Sequence, residues 1–339
     1  DNSPGLIRFI LVIIEIIYQL IPLVILNAMK LGAFVPQGWR MDLTDVLPEN
    51  QWETIVNSAK RIEKLNYDSI WVYDHFHTVP SPTQDPTFEC WSLMAAISQV
   101  TTRARIGQMC TCNSYRNPAY LTKVASSIDV MSDGRLEYAI GAGWYDQEYQ
   151  AYGYEYPSDG VRLKMLEESL IIYKKMTTED LATFNGKYYQ IDGAINQPKP
   201  IQKPYPPLWV CGGGEKVTLK LLAKYGDYGN WDVDLDGFIR KSNILKEHCD
   251  KEDRDFSSIG RTLHTDVVIA KNDTELKNLI EKVADQRNIE ASKLATRPLV
   301  GTVNQVKDML GKFEEAGCVY LIAYISDIVW GETLELLKD

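Results

Sequence analysis

Residues Asp68 to Pro80 read DSIWVYDHFHTVP. Ile70, Trp71, Val72 and Tyr73 are β-branched or aromatic in an unbroken apolar run. Such a run predicts a strand buried on both faces, the situation of a parallel sheet. It stops in Asp74, His75, Phe76 and His77, with Pro80 and Pro82 behind. Ionisable and aromatic groups are thus delivered at the carboxyl end of a buried strand, where α/β proteins place their ligands.

The same grammar repeats on either side. Strands are expected at Lys30 to Pro36, 69–73, Arg105 to Met109, Leu136 to Ile140, Leu208 to Val210, Tyr228 to Asn230, Leu263 to Ala270 and Val319 to Tyr324. Between them lie helical segments, such as Gln51 to Leu65 with Trp52, Ile55, Val56, Ala59, Ile62 and Leu65 at helical spacing. Others are expected at Phe88 to Gln99, Pro118 to Met131, Val161 to Met176, Glu215 to Tyr225 and Ile328 to Leu337. Residues 177–206 break the rhythm with a hairpin around Asn185-Gly186 and a proline-rich connector. Eight βα units predict a (β/α)8 TIM barrel with insertions after strands 4 and 7, a single domain over 29–339. A doubly wound open sheet would ask for a phosphate loop after the first strand, and Pro36-Gln37-Gly38-Trp39 is not one.

The composition, 45% apolar and 24% charged, is that of a globular chain with a sizeable core. A net charge of −10 argues against nucleic acid or an anionic membrane as the main partner and for a small-molecule substrate. The six cysteines form no CxxC pair, so reduced thiols in a cytoplasmic protein are expected. Cys110-x-Cys112 has no second Cys/His pair at ligand spacing, so no metal is expected. Residues 6–26, LIRFILVIIEIIYQLIPLVIL, are long enough to cross a bilayer, but Glu15 falls mid-run and Pro22 breaks it. The 1–28 extension reads three ways: upstream sequence foreign to the fold, a membrane anchor, or an amphipathic oligomer helix. Membrane contact is expected only there.

In a barrel the functional face is built from the residues just past the end of each strand. Those positions hold Gln37 and Trp39; Asp74, His75 and His77; Cys110, Thr111 and Cys112; Gly141, Gly143, Trp144 and Glu148; Gly212 to Lys216; Asn230 and Trp231; His264; and Tyr324. Aromatic and polar groups at one rim suit a large planar ligand. Cys211-Gly212-Gly213-Gly214-Glu215-Lys216-Val217-Thr218 leaves a strand and opens a helix. Its glycines and free N–H groups could cradle phosphate, with Lys216 adding a charge; a tight turn is the alternative. His75 is expected in the site, His77 behind it, and His248 on a solvated helix face.

Three of these segments, SIWVYDHFHTVP (69–80), RIGQMCTCNSYRNPAYLTKVASSIDVMSDGRLEYAIGAGWYDQEYQAYG (105–153) and PLWVCGGGEKVT (207–218), resemble the bacterial luciferase-like oxidoreductase superfamily. They are most similar to its coenzyme F420-dependent branch. The likeness runs from Met29 to the C-terminus. It implies a deazaflavin in the C-terminal mouth of the barrel, with hydride transfer at its ring carbon. By position, Asp74 and His75 match the pair beside the ring. Met109-Cys110-Thr111 matches a bulge that holds a non-prolyl cis peptide in relatives. Ala142 and Gly143, with Gln147 or Glu148 one turn on, match the loop at the ring. Gly213 and Gly214 match the turn at the phosphate side, and Gly212, Glu215 and Lys216 are expected at the cofactor beside them.

His75 is then the catalytic residue and Asp74 the group that sets its tautomer. Gln37, Trp39, His77, Trp144, His264 and Tyr324 are expected around the substrate. Sugar-phosphate dehydrogenases of this branch carry a carboxylate where this chain has Trp144 and a tryptophan where it has Val79, so neither their acid nor their substrate is inherited. A monooxygenase using reduced FMN and oxygen is the alternative within the fold, and a catalytically idle cofactor-binding protein the alternative outside it. Relatives are commonly homodimers, and that state is expected by analogy.

Overall fold

The computed structural model describes residues 29–338. Its barrel strands are β1 (Lys30–Phe34), β2 (Ser69–Val72), β3 (Arg105–Gln108), β4 (Leu136–Gly141), β5 (Leu208–Cys211), β6 (Tyr228–Trp231), β7 (Gly260–Ala270) and β8 (Cys318–Ile325). Each pairs in parallel with the next, and β8 pairs with β1, so the sheet closes on itself as expected. The expectations placed on residues 1–28, membrane contact through 6–26 among them, lie outside the described residues. No helix among the described residues is long and apolar enough to cross a membrane.

Strand side chains alternate between two cores. Ala33, Ile70, Val72, Ile106 and Leu321 point outward under the helices. Phe34, Trp71, Tyr73, Trp209, Tyr320 and Tyr324 point inward and fill the barrel. The Trp71 indole has room because β1 and β3 present glycines beside it. A Cβ on Gly32 or Gly107 would lie 2.5 or 2.4 Å from an atom of that ring. Trp209 meets Trp71 edge-on at 4.9 Å and stacks on Tyr228 at 4.4 Å, and its Nε1 donates to buried Glu137 at 2.6 Å. Aromatic bulk thus closes the amino end of the barrel. A ligand has only the carboxyl end to enter.

Around the ring, the helix at Pro48–Lys64 buries Ile55, Ala59 and Ile62 at the expected spacing but leaves Trp52 exposed. The expected hairpin is Ala182–Asn185 paired with Gln190–Ala194. Three helices are shorter than expected. Glu89 caps Cys90–Val100 by accepting from the Trp91 and Ser92 N–H groups. The helix after the Gly triplet begins only at Thr218, and the last one contracts to Thr333–Leu336. The excursion after β7 holds helices Asp273–Gln286 and Ala291–Ala295, and an unforeseen strand, Leu299–Thr302, which pairs with Val267–Ala270 outside the barrel.

Candidate active site

A cavity of about 440 Å³ opens at the carboxyl end of the barrel. Alternation along β2 explains what reaches it: Trp71 and Tyr73 face inward, Asp74 faces outward, and His75 faces inward again. His75 stacks on Trp39 with ring centroids 4.3 Å apart and planes 2° from parallel. Its Nδ1 donates to Glu148 Oε2 at 2.9 Å. Glu148, on the short helix Asp146–Ala151, has a fully buried side chain. It also accepts from Tyr115 Oη at 2.8 Å and from the N–H groups of Phe76 and His77 at 2.7 and 2.9 Å. Burial alone would push this carboxyl up, but the His75 hydrogen bond and charge, with the two backbone donors, hold it below the usual range. A fixed carboxylate keeps the imidazole proton on Nδ1, so in the neutral ring Nε2 is an acceptor.

The expected Asp74–His75 pairing is therefore corrected. Neighbours on an extended chain point to opposite sides, and Asp74 turns to Arg116 instead. Its oxygens accept from Arg116 Nη1 at 2.7 Å and Nη2 at 2.9 Å, and Oδ2 accepts from the Cys112 N–H at 2.9 Å. Asp74 holds the strand-three bulge in place, and Glu148 sets the tautomer.

The bulge is the expected one: the Met109–Cys110 peptide is cis, and Thr111–Cys112 resumes the sheet against Ile140 and Gly141. Opposite it, Gly143 has φ +81°, and a Cβ there would meet Tyr149 Oη at 2.1 Å and Cys112 Sγ at 2.6 Å. Only glycine fits. The wall of the slot is thus largely bare backbone. Burial pushes the Cys112 thiol up to about 12 and the Cys211 thiol well up, so both remain protonated packing groups.

On the far side, Gly212 (φ +116°) and Gly213 line the slot, and Lys241 reaches over them from the helix Leu235–Lys251. Its buried Nζ donates to the Gly213 carbonyl at 2.6 Å. Nothing in the sequence singled out Lys241, one of many charged residues in an amphipathic helix. The cation expected here, Lys216, is exposed and away from the slot, because residues 215–217 form a turn before the helix starts. Gly214 and Glu215 lie outside the lining too. Glu215 pairs with Arg240 at 2.8 Å, and its carbonyl accepts from His248 Nε2 at 2.8 Å, so His248 is anchored rather than solvated.

At the rim, His264 Nε2 lies 3.3 Å from Tyr73 Oη. Burial, helped by the Arg40 charge, pushes His264 down to about 4. It is a neutral ring. Above it, Asp266 gathers three arginines: Oδ1 takes Arg40 Nη1 at 2.7 Å and Arg287 Nη1 at 2.6 Å, and Oδ2 lies 3.3 Å from Arg297 Nε. Burial would raise Asp266, but the arginines carry it down to about 2.

Of the expected residues, Trp39, Asp74, His75, Met109, Cys110, Thr111, Gly143, Trp144, Gly212, Gly213 and His264 line the cavity together. Others do not. Gln37 is a buried clamp, its Nε2 donating to the Tyr73 and Phe88 carbonyls and its Oε1 accepting from the Tyr73 N–H. Tyr324 lies beneath the Arg40 guanidinium and donates to Asp42. His77 packs on Tyr152 behind the loop, Ala142 packs against the outer core, and Gln147 is exposed.

The carboxyl mouth of the barrel thus combines a slot walled partly by backbone, a carboxylate-oriented histidine and a buried lysine beside glycines. Residues 29–316 match the family model described as luciferase-like monooxygenase. The chain belongs to that family. It is 30% identical over 176 residues to an F420-dependent glucose-6-phosphate dehydrogenase of Amycolatopsis mediterranei, 51% of each chain. It is 26% identical over 208 residues to a pyrimidine monooxygenase of Serratia proteamaculans, 59% of this chain and 56% of that one. The chain thus spans little more than half the length of these curated relatives. Among solved structures it resembles an F420-dependent secondary alcohol dehydrogenase with an F420–acetone adduct (TM-score 0.77, 21% identity, 91% of this chain and 97% of that one). An EDTA monooxygenase from Chelativorans sp. BNC1 is similar too (TM-score 0.75, 15% identity, 92% of both chains). At those identities the likeness bears on the fold.

Proposed function

We propose that the chain is an oxidoreductase that moves a hydride between coenzyme F420 and a small organic substrate. The observation that carries this reading is the His75–Glu148 couple at the edge of a slot walled by backbone. Its acceptor nitrogen, Nε2, has no protein partner among the described residues. The slot fits a deazaflavin chemically. Gly143 keeps the backbone close against Tyr149 and Cys112, the Cys110–Thr111 backbone offers a flat wall, and Lys241 with Gly212 and Gly213 suits a phosphate-bearing tail. These residues would hold the coenzyme, which when bound supplies a two-electron hydride equivalent at its ring carbon.

The chain's own residues do the rest. His75 Nε2 accepts the proton of a substrate hydroxyl during oxidation and returns it during reduction. Glu148 keeps the other imidazole proton on Nδ1 and stabilises the cation that forms. Trp39 holds the ring in plane from one face, and Trp144 and Tyr145, 5.7 and 5.9 Å from it, screen it from water.

Equilibrium binding of F420 and of FMN to the purified full chain tests the reading. F420 should bind in the micromolar range or tighter, and FMN much more weakly. FMN binding without F420 binding would move the chain to the monooxygenase side of its family, and a peroxyflavin absorbance after mixing with oxygen would establish that.

A further inference from the structure

A second cavity, of about 350 Å³, adjoins the slot and plays no part in the chemistry above. The two share Trp39, Trp144 and Tyr145 as a common wall. The other side comes from three separate loops: Arg40 after β1, Val79 and Pro80 after β2, and Arg287 and Ile289 from the excursion after β7. Both arginine side chains are deeply buried, 11% and 10% exposed. Each gives only its Nη1 to protein acceptors, the same Asp266 oxygen and, for Arg287, also Ser326 Oγ at 3.4 Å. The Nε and Nη2 groups of both find no acceptor among the described residues. Arg297 adds a third guanidinium, paired with Asp266 and Asp232. Three positive groups therefore face two carboxylates, and one positive charge is left over.

Guanidinium N–H groups that no protein acceptor engages are open to a ligand in the cavity they line. Two planar forks side by side match a carboxylate, which can accept from both. The remaining walls are aromatic or aliphatic. The Trp39 ring measures the reach between the two sites, with His75 4.3 Å from its centroid and the Arg40 guanidinium 5.1 Å. We infer that this cavity takes the carboxylate of the substrate, and that the substrate is a carboxylic acid whose body is otherwise flat or apolar. The excursion after β7, which the barrel itself does not need, would then be the element that selects for acids.

The inference rests on the oxidoreductase reading of the slot, but its test needs no turnover. Calorimetric titration of the full chain with 3-phenylpropanoate and with 3-phenylpropanamide compares one shape with and without the charge. The acid should bind at least tenfold more tightly than the amide. Arg40→Gln and Arg287→Gln should each erase most of that preference. Ile289→Asp, which leaves every arginine in place and sets a negative charge in the cavity, should erase it as well, with folding checked by circular dichroism. Equal binding of acid and amide, no saturable binding of either, or a preference that survives Ile289→Asp would overturn the inference. So would displacement of the acid by an equal concentration of inorganic phosphate, which would assign the arginines to a bare oxyanion. Failure of wild-type protein to bind F420 would instead sink the oxidoreductase reading while leaving the acid–amide comparison intact.

Discussion

Glu148→Gln separates orientation of the histidine from everything else in the site. The native carboxylate serves four donors, His75 Nδ1 and Tyr115 Oη on Oε2, and the Phe76 and His77 N–H groups on Oε1. A glutamine can keep its carbonyl on only one side. With the carbonyl turned to His75, the amide nitrogen would confront two buried backbone N–H groups that cannot reverse, at about 1–3 kcal/mol each. With the carbonyl on the backbone pair, the amide faces a hydroxyl that can rotate and an imidazole that can change tautomer. The second arrangement wins. Bonds to a charged acceptor, about 1.5–3 kcal/mol each, become neutral ones of about 0.5–1.5 kcal/mol, but all four donors or their positions keep a partner. A stability loss of roughly 2–4 kcal/mol is expected.

The chemical consequence is larger. The His75 proton moves to Nε2, and the nitrogen that should accept becomes a donor. Where the same change has been made at a carboxylate that orients a catalytic histidine, the rate falls on the order of 10⁴-fold. A fall of at least 100-fold in kcat is expected here, with F420 affinity changed little. Long-range proton–nitrogen correlation spectra of ¹⁵N-histidine protein, with four histidines to assign, read the tautomer directly. Native His75 should show a protonated Nδ1 and the variant a protonated Nε2. A variant that keeps the native tautomer, or that keeps its rate after changing it, would refute the assignment. The pH dependence has a definite sign. Because Glu148 is depressed in the folded state, its stabilising contribution is full above the ordinary carboxylate range and is lost as pH falls through the folded value. The glutamine variant should lack that acid-side loss in denaturant titrations.

Asp74→Asn should cost about 3–5 kcal/mol in chemical unfolding, because Arg116 stays buried with only the partly exposed Glu89 as counter-charge, while the His75 tautomer in the same spectra stays native. Gly143→Ala combines a left-handed backbone with a blocked Cβ, so a loss of about 2–5 kcal/mol and of F420 binding is expected by thermal shift and fluorescence titration. His264, lowered to about 4 by burial, must be charged to unfold in acid: its neutral form favours the fold fully above about pH 6.5, and stability falls between 6.5 and 4. His264→Gln should flatten that part of the urea midpoint-against-pH curve, and an unchanged slope would mean the ring titrates normally.

What could be read from the sequence was whatever local chemistry dictates. The apolar run of β2 could be placed because a doubly buried strand admits no polar residue, and its end because Asp74, His75 and two prolines cannot continue it. The Gly triplet announced a turn, and the Met109–Cys110 bulge came from resemblance. Pairings across the fold were not legible. Glu148 lies 73 residues from His75 and looked no different from Gln147 beside it; only the register of the short Asp146–Ala151 helix decides which is buried. Alternation also argued against an Asp74–His75 pair, since consecutive residues of an extended chain face apart, yet adjacency in sequence suggested it. Lys241, Arg40, Arg287 and Arg297 carried no local signal, because a basic residue gains meaning only from the carboxylate or cavity it meets.

Net charge illustrates the same limit from the other direction. At −10 the chain is unsuited to nucleic acid or an anionic membrane, yet its mouth holds a concentration of buried cations. The two statements concern different distances. Exposed surface acids act through water and salt that screen them within about 8 Å at physiological ionic strength. Arg40, Arg287 and Lys241, with side chains 11%, 10% and 8% exposed, act where water is largely excluded and each charge is felt more strongly. A ligand inside the barrel mouth therefore meets the local sum, three guanidiniums against Asp266 and Asp232 at one end and Lys241, with Glu215 3.7 Å from its Nζ, over Gly213 at the other. The acidic exterior contributes mainly to keeping the molecules apart. Because Lys241 lines the slot and Arg40 and Arg287 line the adjoining cavity, a cofactor's anionic tail and a substrate's carboxylate can each be held without competing for the same charge.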